Sequence, residues 1–282
     1  MMQCRQCGSP LHKNILPDLS GLLDRFQGTQ GIYSYSQCLD CKLIQLTEDP
    51  NDMAALYYHY SINKTKSFFY DFIRAVLIAP KYPQLNGRGV LLDIGPGDGW
   101  YMTSLQKKGW DCYGVELSEE MACKIRQQAK LNIFSIENIN QQKFHSFFDV
   151  ITFNFSFEHL TNPLDMLDAA QILLRKGGQI IITIPNIESL SFKFFVKNWF
   201  DLDPPRHITF FTKTMLADIL IQKNFKIKSI VYISSANDIA GSLLYCFKNK
   251  FNKWPWYFLL PLGVLLQIIF KDSNFRIEAE KK

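Results

Sequence analysis

Two C-x-x-C pairs, Cys4/Cys7 and Cys38/Cys41, are separated by 30 residues. Four thiolates delivered as two knuckles are what a tetrahedral structural zinc site requires, and this spacing leaves room for a small β-ribbon between them. Gly8, directly after Cys7, lets backbone N–H groups turn toward sulfur, whereas Lys42 occupies the matching position after Cys41. Iron in a rubredoxin-like knuckle and a metal-free cluster are the competing readings. With four protein ligands and no open position, such a metal is structural. The other three cysteines, Cys112, Cys123 and Cys246, stand alone, and an odd total of seven does not suit a disulfide framework.

A second pattern is VLLDIGPGDGW, Val90–Trp100, with Asp93 at the end of an apolar run and Gly95, Gly97 and Gly99 in the turn that opens the next helix. Such a turn exposes backbone N–H groups and admits a ligand closely because no Cβ obstructs it. A dinucleotide fingerprint requires Gly where Trp100 stands, and a phosphate-binding loop requires a lysine that is missing between Gly99 and Lys107. A ligand without phosphate remains.

Proton transfer near neutral pH is the province of histidine. His12, His59 and His145 lie outside the expected strand-end cleft, which leaves His159 and His207. Pro204 and Pro205 stiffen a segment that would present Arg206 and His207 to an acceptor. The structural alternatives are a helix-capping role for His207 and a hydrogen bond at the start of the 163–175 helix for His159. Phe155, Phe157, Trp199 and Phe200 could form a water-excluding surround, although aromatics at such positions are more often simply core.

The elements that must position these residues alternate. Short apolar runs at Val90–Ile94, Cys112–Leu117, Asn132–Phe134, Asp149–Asn154, Gln179–Ile184, Ile227–Ser234 and Phe275–Ala279 are interleaved with amphipathic stretches such as 118–130 and 163–175. That order predicts an α/β fold with a doubly wound, largely parallel sheet covered on both faces. Residues 49–80 carry a helical pattern that suits a linker. Trp254–Phe270 is 17 residues without a charge, flanked by Lys248, Lys250, Lys253 and Lys271. It falls short of the roughly 20 apolar residues that span a bilayer, so it reads first as a core helix, next as an interfacial helix touching a membrane surface and last as a true span.

With 282 residues, 47% hydrophobic and 20% charged, the chain has ample material for a packed core. A net charge of +5 spread over the whole length is no footprint for nucleic acid. The N-terminus has no apolar run behind a basic head, so the expectation is a cytoplasmic protein with reduced thiols.

The D-x-G-x-G-x-G turn resembles the first motif of the class I S-adenosylmethionine-dependent methyltransferases, and motifs in the right order extend the resemblance over about residues 88–235. The resemblance implies a seven-stranded Rossmann-like sheet and S-adenosyl-L-methionine as cofactor. It implies that Asp93 and the glycines hold that cofactor, and that Glu116, 23 residues after Asp93 and followed by Leu117, accepts the ribose hydroxyls. A polar residue near Ser135, Glu137 or Asn138 would meet the adenine, and Asn154 and Phe155 the methionine moiety. The Pro-Arg-His-x-x-x-Phe pattern at 205–211 is similar to one found in zinc-ribbon methyltransferases acting in saccharide or secondary-metabolite pathways.

Three functions follow from these readings: methyl transfer to a small-molecule or saccharide acceptor, methylation of an RNA base gripped by the ribbon, and a non-catalytic cofactor-binding or membrane-peripheral protein. Residues 1–50 carry four Lys/Arg against five Asp/Glu, which disfavours a ribbon that grips phosphates. The intact Asp93, glycines and Glu116 argue against a decayed site. The expected division is a zinc ribbon over 1–47, a helical linker over 48–86 and a methyltransferase domain over 87–282.

Overall fold

In the computed structural model, residues 3–10, 16–28, 31–48, 79–116, 119–129, 131–139, 141–248 and 250–282 are described. The linker pattern at 49–78 and Leu117 lie outside them.

Two strands, β1 (Tyr35–Gln37) and β2 (Ile44–Leu46), precede the main sheet. That sheet uses β3 (Val90–Ile94), β4 (Asp111–Val115), β5 (Asn132–Phe134), β6 (Phe148–Asn154) and β7 (Leu174–Pro185). After a short β8 (Thr209–Phe210), it is completed by β9 (Phe225–Ile233) and β10 (Asn274–Lys281). The order is β5-β4-β3-β6-β7-β10-β9, parallel from β5 to β7, with β10 antiparallel to both its neighbours. All seven apolar runs expected from the sequence are strands of this sheet, and the Rossmann-like doubly wound architecture is the one observed.

Side chains alternate between its two faces. Leu92, Ile94, Ile151, Phe153, Ile180 and Ile182 join one core cluster with Leu167 and Leu216, while Leu91, Val150 and Ile181 join a second with Tyr101, Met102 and Ile125. The first cluster sits under α4 (Pro163–Leu173) and α6 (Lys213–Gln222); the second sits under α1 (Trp100–Gln106) and α2 (Glu119–Ala129). Burial on both faces is why these strands read as continuous apolar runs rather than alternating ones. A one-turn α3 (Ile136–Ile139) follows β5 and a short α5 (Leu190–Phe195) follows β7.

The N-terminal strands do not stand apart. β2 pairs antiparallel with β8, so a three-stranded sheet β1-β2-β8 joins residues separated by more than 160 positions. Leu19, Leu22, Tyr35 and Leu46 share a core cluster with Trp199, Leu202, Phe210 and Ile239. Trp199 is therefore core rather than cleft lining, and so is Phe157, packed against Phe153 and Phe211.

α7 (Ala236–Phe247) and α8 (Lys253–Leu266) form an antiparallel pair inserted between β9 and β10. Because β9 runs parallel to β7, this insertion leaves the sheet at the same end as the glycine turn.

Candidate active site

The carboxyl ends of β3, β4 and β6 converge on the glycine turn. Asp93 and Thr152 are register partners on β3 and β6, and their side chains point to the same face. The Thr152 hydroxyl donates to Asp93 Oδ1 at 2.6 Å, and the Asn154 amide donates to the same oxygen at 3.1 Å. Burial pushes the Asp93 carboxyl up to about 7, although both hydrogen bonds oppose this. Asn154 Oδ1 is buried without a partner.

Gly95, Gly97 and Gly99 all take positive φ (73°, 60° and 72°), and Gly99 leads into α1. A Cβ at Gly95 would lie 2.7 Å from Ser156 Cβ, while one at Gly97 would meet nothing within 4 Å. Gly95 is thus required for packing, and Gly97 opens onto a cradle. Ser156 anchors the following turn by donating to the Ile94 carbonyl at 2.5 Å. Phe155 also takes positive φ, 54°, and its ring lies against Tyr82 and beneath the Lys81 ammonium at 5.5 Å.

Glu116 follows β4, where its backbone N–H donates to Phe134 O at 3.2 Å. Asn138 is exposed on α3, next to Glu137 in sequence. The cofactor-binding candidates Asp93, Gly95, Gly97, Gly99, Asn154 and Phe155 therefore form one ledge, with Glu116 at the end of the adjacent strand.

Arg206 is not presented to solvent. It is 1% exposed, and its guanidinium makes a bidentate pair with Asp24 at 2.8 and 3.2 Å while also bonding Asp203. The Phe26 ring packs against it at 5.5 Å. The sequence expectation of an acceptor-binding arginine is corrected here: Arg206 is a buried brace, because a partner 182 positions away neutralises it.

His207 donates Nδ1–H to the Asp201 carbonyl at 2.5 Å, and His159 donates Nδ1–H to the Arg206 carbonyl at 2.8 Å. A carbonyl only accepts, so each ring is held in the tautomer that leaves Nε2 basic. Burial pushes both imidazoles below their ordinary value, His159 to about 3. The rings lie 4.7 Å apart.

Sequence reasoning passed over Glu158. Its carboxyl is 1% exposed, both its oxygens are buried without a partner, and His207 Nε2 stands 3.9 Å away. Burial raises this acid from 4.5 to about 8, so it is neutral at pH 7. The available signal was its place four residues after the end of β6 and immediately before His159. The turn that carries Glu158 is tied both ways: Ile208 N–H donates to Glu158 O, and Ile208 O accepts from Leu46 N–H, each at 2.8 Å.

Among the described residues, the four cysteine sulfurs also meet. Cys4 Sγ lies 3.4 Å from Cys41 Sγ, Cys7 Sγ lies 3.6 Å from Cys38 Sγ, and all four fall within 4.8 Å of one another. The two knuckles repeat one hydrogen-bond pattern: Gly8 N–H donates to Cys4 O, and Lys42 N–H to Cys38 O. Lys42 adopts φ 67°, beside 72° at Gly8, and its ammonium caps the Leu39 carbonyl at 2.6 Å. The departure from glycine at position 42 is accommodated locally.

A doubly wound sheet with a glycine turn over a buried acid at its first strand end is the domain of a class I S-adenosylmethionine-dependent methyltransferase. A family model described as "Methyltransferase domain" matches residues 65–230, and the chain belongs to this family. It is 25% identical over 114 residues to a ubiquinone biosynthesis O-methyltransferase of Acinetobacter baylyi, covering 38% of this chain and 48% of that protein. It is also 27% identical over 189 residues to an uncharacterized methyltransferase of Alkaliphilus oremlandii, covering 63% and 78%. The chain thus spans about half the length of the first of these relatives and more of the second. A solved S-adenosylmethionine-dependent methyltransferase from Archaeoglobus fulgidus shares the fold, with a TM-score of 0.53 and 18% identity over 80% of this chain and 99% of that one.

Two outcomes are expected. Arg206→Ala leaves Asp24 buried without its cation and Asp203 without its partner, and should cost about 3–5 kcal/mol in urea unfolding; a loss below about 1 kcal/mol would contradict the brace. The second concerns pH. The raised Glu158 carboxyl stabilises the fold fully below its unfolded value of 4.5, and that stability is lost as pH rises through about 8. Glu158→Gln should therefore lose less stability than wild type between pH 5 and pH 8. Equal losses in the two proteins would show that Glu158 is not held neutral.

Proposed function

We propose that this protein transfers a methyl group from S-adenosyl-L-methionine to an oxygen of a hydroxyl-bearing small molecule, saccharides included. The observation that carries this reading is the open cradle at Gly97 above Asp93 with its Thr152 and Asn154 brace. The donor set fits a zwitterionic nucleoside: backbone N–H groups, a buried carboxyl and the unpartnered Asn154 Oδ1 offer both hydrogen-bond signs and no phosphate-binding lysine. The cofactor supplies an electrophilic methyl on a sulfonium. Asp93 and the glycine turn would hold its amino-acid end, Glu116 its ribose hydroxyls, and Phe155 and Tyr82 would exclude water. The O-methyltransferase named among the relatives supports oxygen as the acceptor atom.

Glu158 and His207 supply the proton chemistry. His207 Nε2 is neutral and basic, and the neutral Glu158 carboxyl beside it has unfilled hydrogen-bonding capacity that an acceptor hydroxyl would satisfy. Both reside on turns anchored to the strand end that carries the cofactor ledge.

The four thiolates fit a structural zinc ion. Bonds of about 2.3 Å at tetrahedral angles place sulfurs about 3.8 Å apart, close to the 3.4 and 3.6 Å measured from one knuckle to the other. Cys4, Cys7, Cys38 and Cys41 would hold it. Its task is mechanical, since β2 leads from the second knuckle to Ile208 and thence to Glu158.

Asp93→Ala and Gly97→Val should each abolish S-adenosylmethionine binding in calorimetry, and undiminished affinity in both would sink the cofactor assignment. Glu158→Gln and His207→Gln should lower turnover by about 10²–10⁴-fold with cofactor affinity retained, the range for a lost proton-transfer group. Chelation should release about one zinc per chain and lower the melting temperature; a metal-free preparation with an unchanged melt refutes the zinc reading.

A further inference from the structure

α8 is apolar on both of its sides. Its inner side packs on α7 at backbone distance: a Cβ at Gly263 would stand 2.3 Å from the Ala236 carbonyl, and Leu260 is buried with Ala240. Trp256 Nε1 donates to Asn237 O at 3.1 Å, which fixes the rotation of the helix. The outer side then carries Trp254, Phe258, Leu262 and Leu265 at helical spacing, continued by Ile268 and Ile269, with Phe258 83% and Leu265 66% exposed. No charged residue interrupts this side between Lys253 and Lys271. Exposed Phe194 extends the patch beyond Phe270, 5.8 Å away. Apolar faces of this size on a soluble domain mark a binding surface.

We propose that this face is an interfacial anchor that seats the protein on an anionic lipid surface. Charge complementarity selects the occupant. Lys248, Lys250 and Lys253 line one end of the patch, Lys271 the other, and Lys193 flanks Phe194, all of them exposed. No Asp or Glu occurs between Asp238, itself buried, and Asp272. An apolar strip framed by lysines, with Trp and Tyr at one end, matches the boundary between acyl chains and acidic headgroups. A second copy of the chain fits less well, because a two-fold interface would bring the same lysine rim onto itself. Among the described residues no helix is long and apolar enough to cross a membrane, so the contact is peripheral. The inference is independent of the methyl acceptor. It does place the anchor at the end of the sheet that carries the cofactor ledge.

The test is flotation of the full chain with phosphatidylcholine vesicles, with and without phosphatidylglycerol, at low and high salt, alongside sedimentation velocity without lipid. The expected result is a monomer that floats with the anionic vesicles and is released by salt. Phe258→Glu/Leu265→Glu should reduce that partition at least about tenfold. Both side chains are exposed, so the variant keeps its thermal melt and its S-adenosylmethionine affinity. Failure to float with anionic vesicles overturns the proposal, as does equal binding to neutral ones. A stable dimer that the double substitution dissociates overturns it too, by assigning the face to a second copy. Retained cofactor binding in any of these cases leaves the methyltransferase reading standing.

Discussion

The docking of the N-terminal segment onto the 201–207 loop depends on one buried ion pair. Arg206 reaches Asp24 with two hydrogen bonds from a site where neither partner meets solvent, and Asp203 completes the charge balance. In such surroundings a lone guanidinium or carboxylate is strongly disfavoured, so the N-terminal segment and the 201–207 loop exist in this form only together. Burial alone would raise Asp203; the Arg206 guanidinium outweighs it and holds the carboxyl below its ordinary value. The backbone of the same loop supplies the carbonyls of Asp201 and Arg206 that orient His207 and His159. An ion pair between distant segments thereby decides which imidazole nitrogen is basic.

The ribbon takes its place in that logic. Its strands are three residues each, too short to form an independent sheet, and β8, more than 160 positions away, completes them. Tyr35 adds hydroxyl bonds to the carbonyls of Leu202 and His207 at 3.1 and 2.7 Å. A cysteine cluster at one end and an ion pair at the other clamp the loop between them.

How far these features were legible follows from the range of the interactions involved. The strands and the glycine turn depend on local pattern, since apolar runs of five to seven residues and three positive-φ glycines are visible within a short window. Asp93, Gly97 and Asn154 were readable for that reason. Arg206 was misread because its neutralising partner lies 182 positions away, and an Arg beside a His on a proline-stiffened segment has the same local appearance whether it faces solvent or a buried aspartate. Glu158 carried no signal of burial either: the residue type argues for exposure, and only the packing of 157–159 against Ile208 overrides it.

Two acids at the same sheet end therefore have opposite status. Asp93 is buried but bonded twice, both times through Oδ1. Glu158 is buried with no bond to either oxygen, a condition that costs stability and persists in folded proteins chiefly where function needs it. The neutral imidazole, its Nε2 3.9 Å away, is too far to relieve that cost by a hydrogen bond. The turn that carries Glu158 begins at Ser156, whose bond to the Ile94 carbonyl ties that turn to the strand end bearing the glycines.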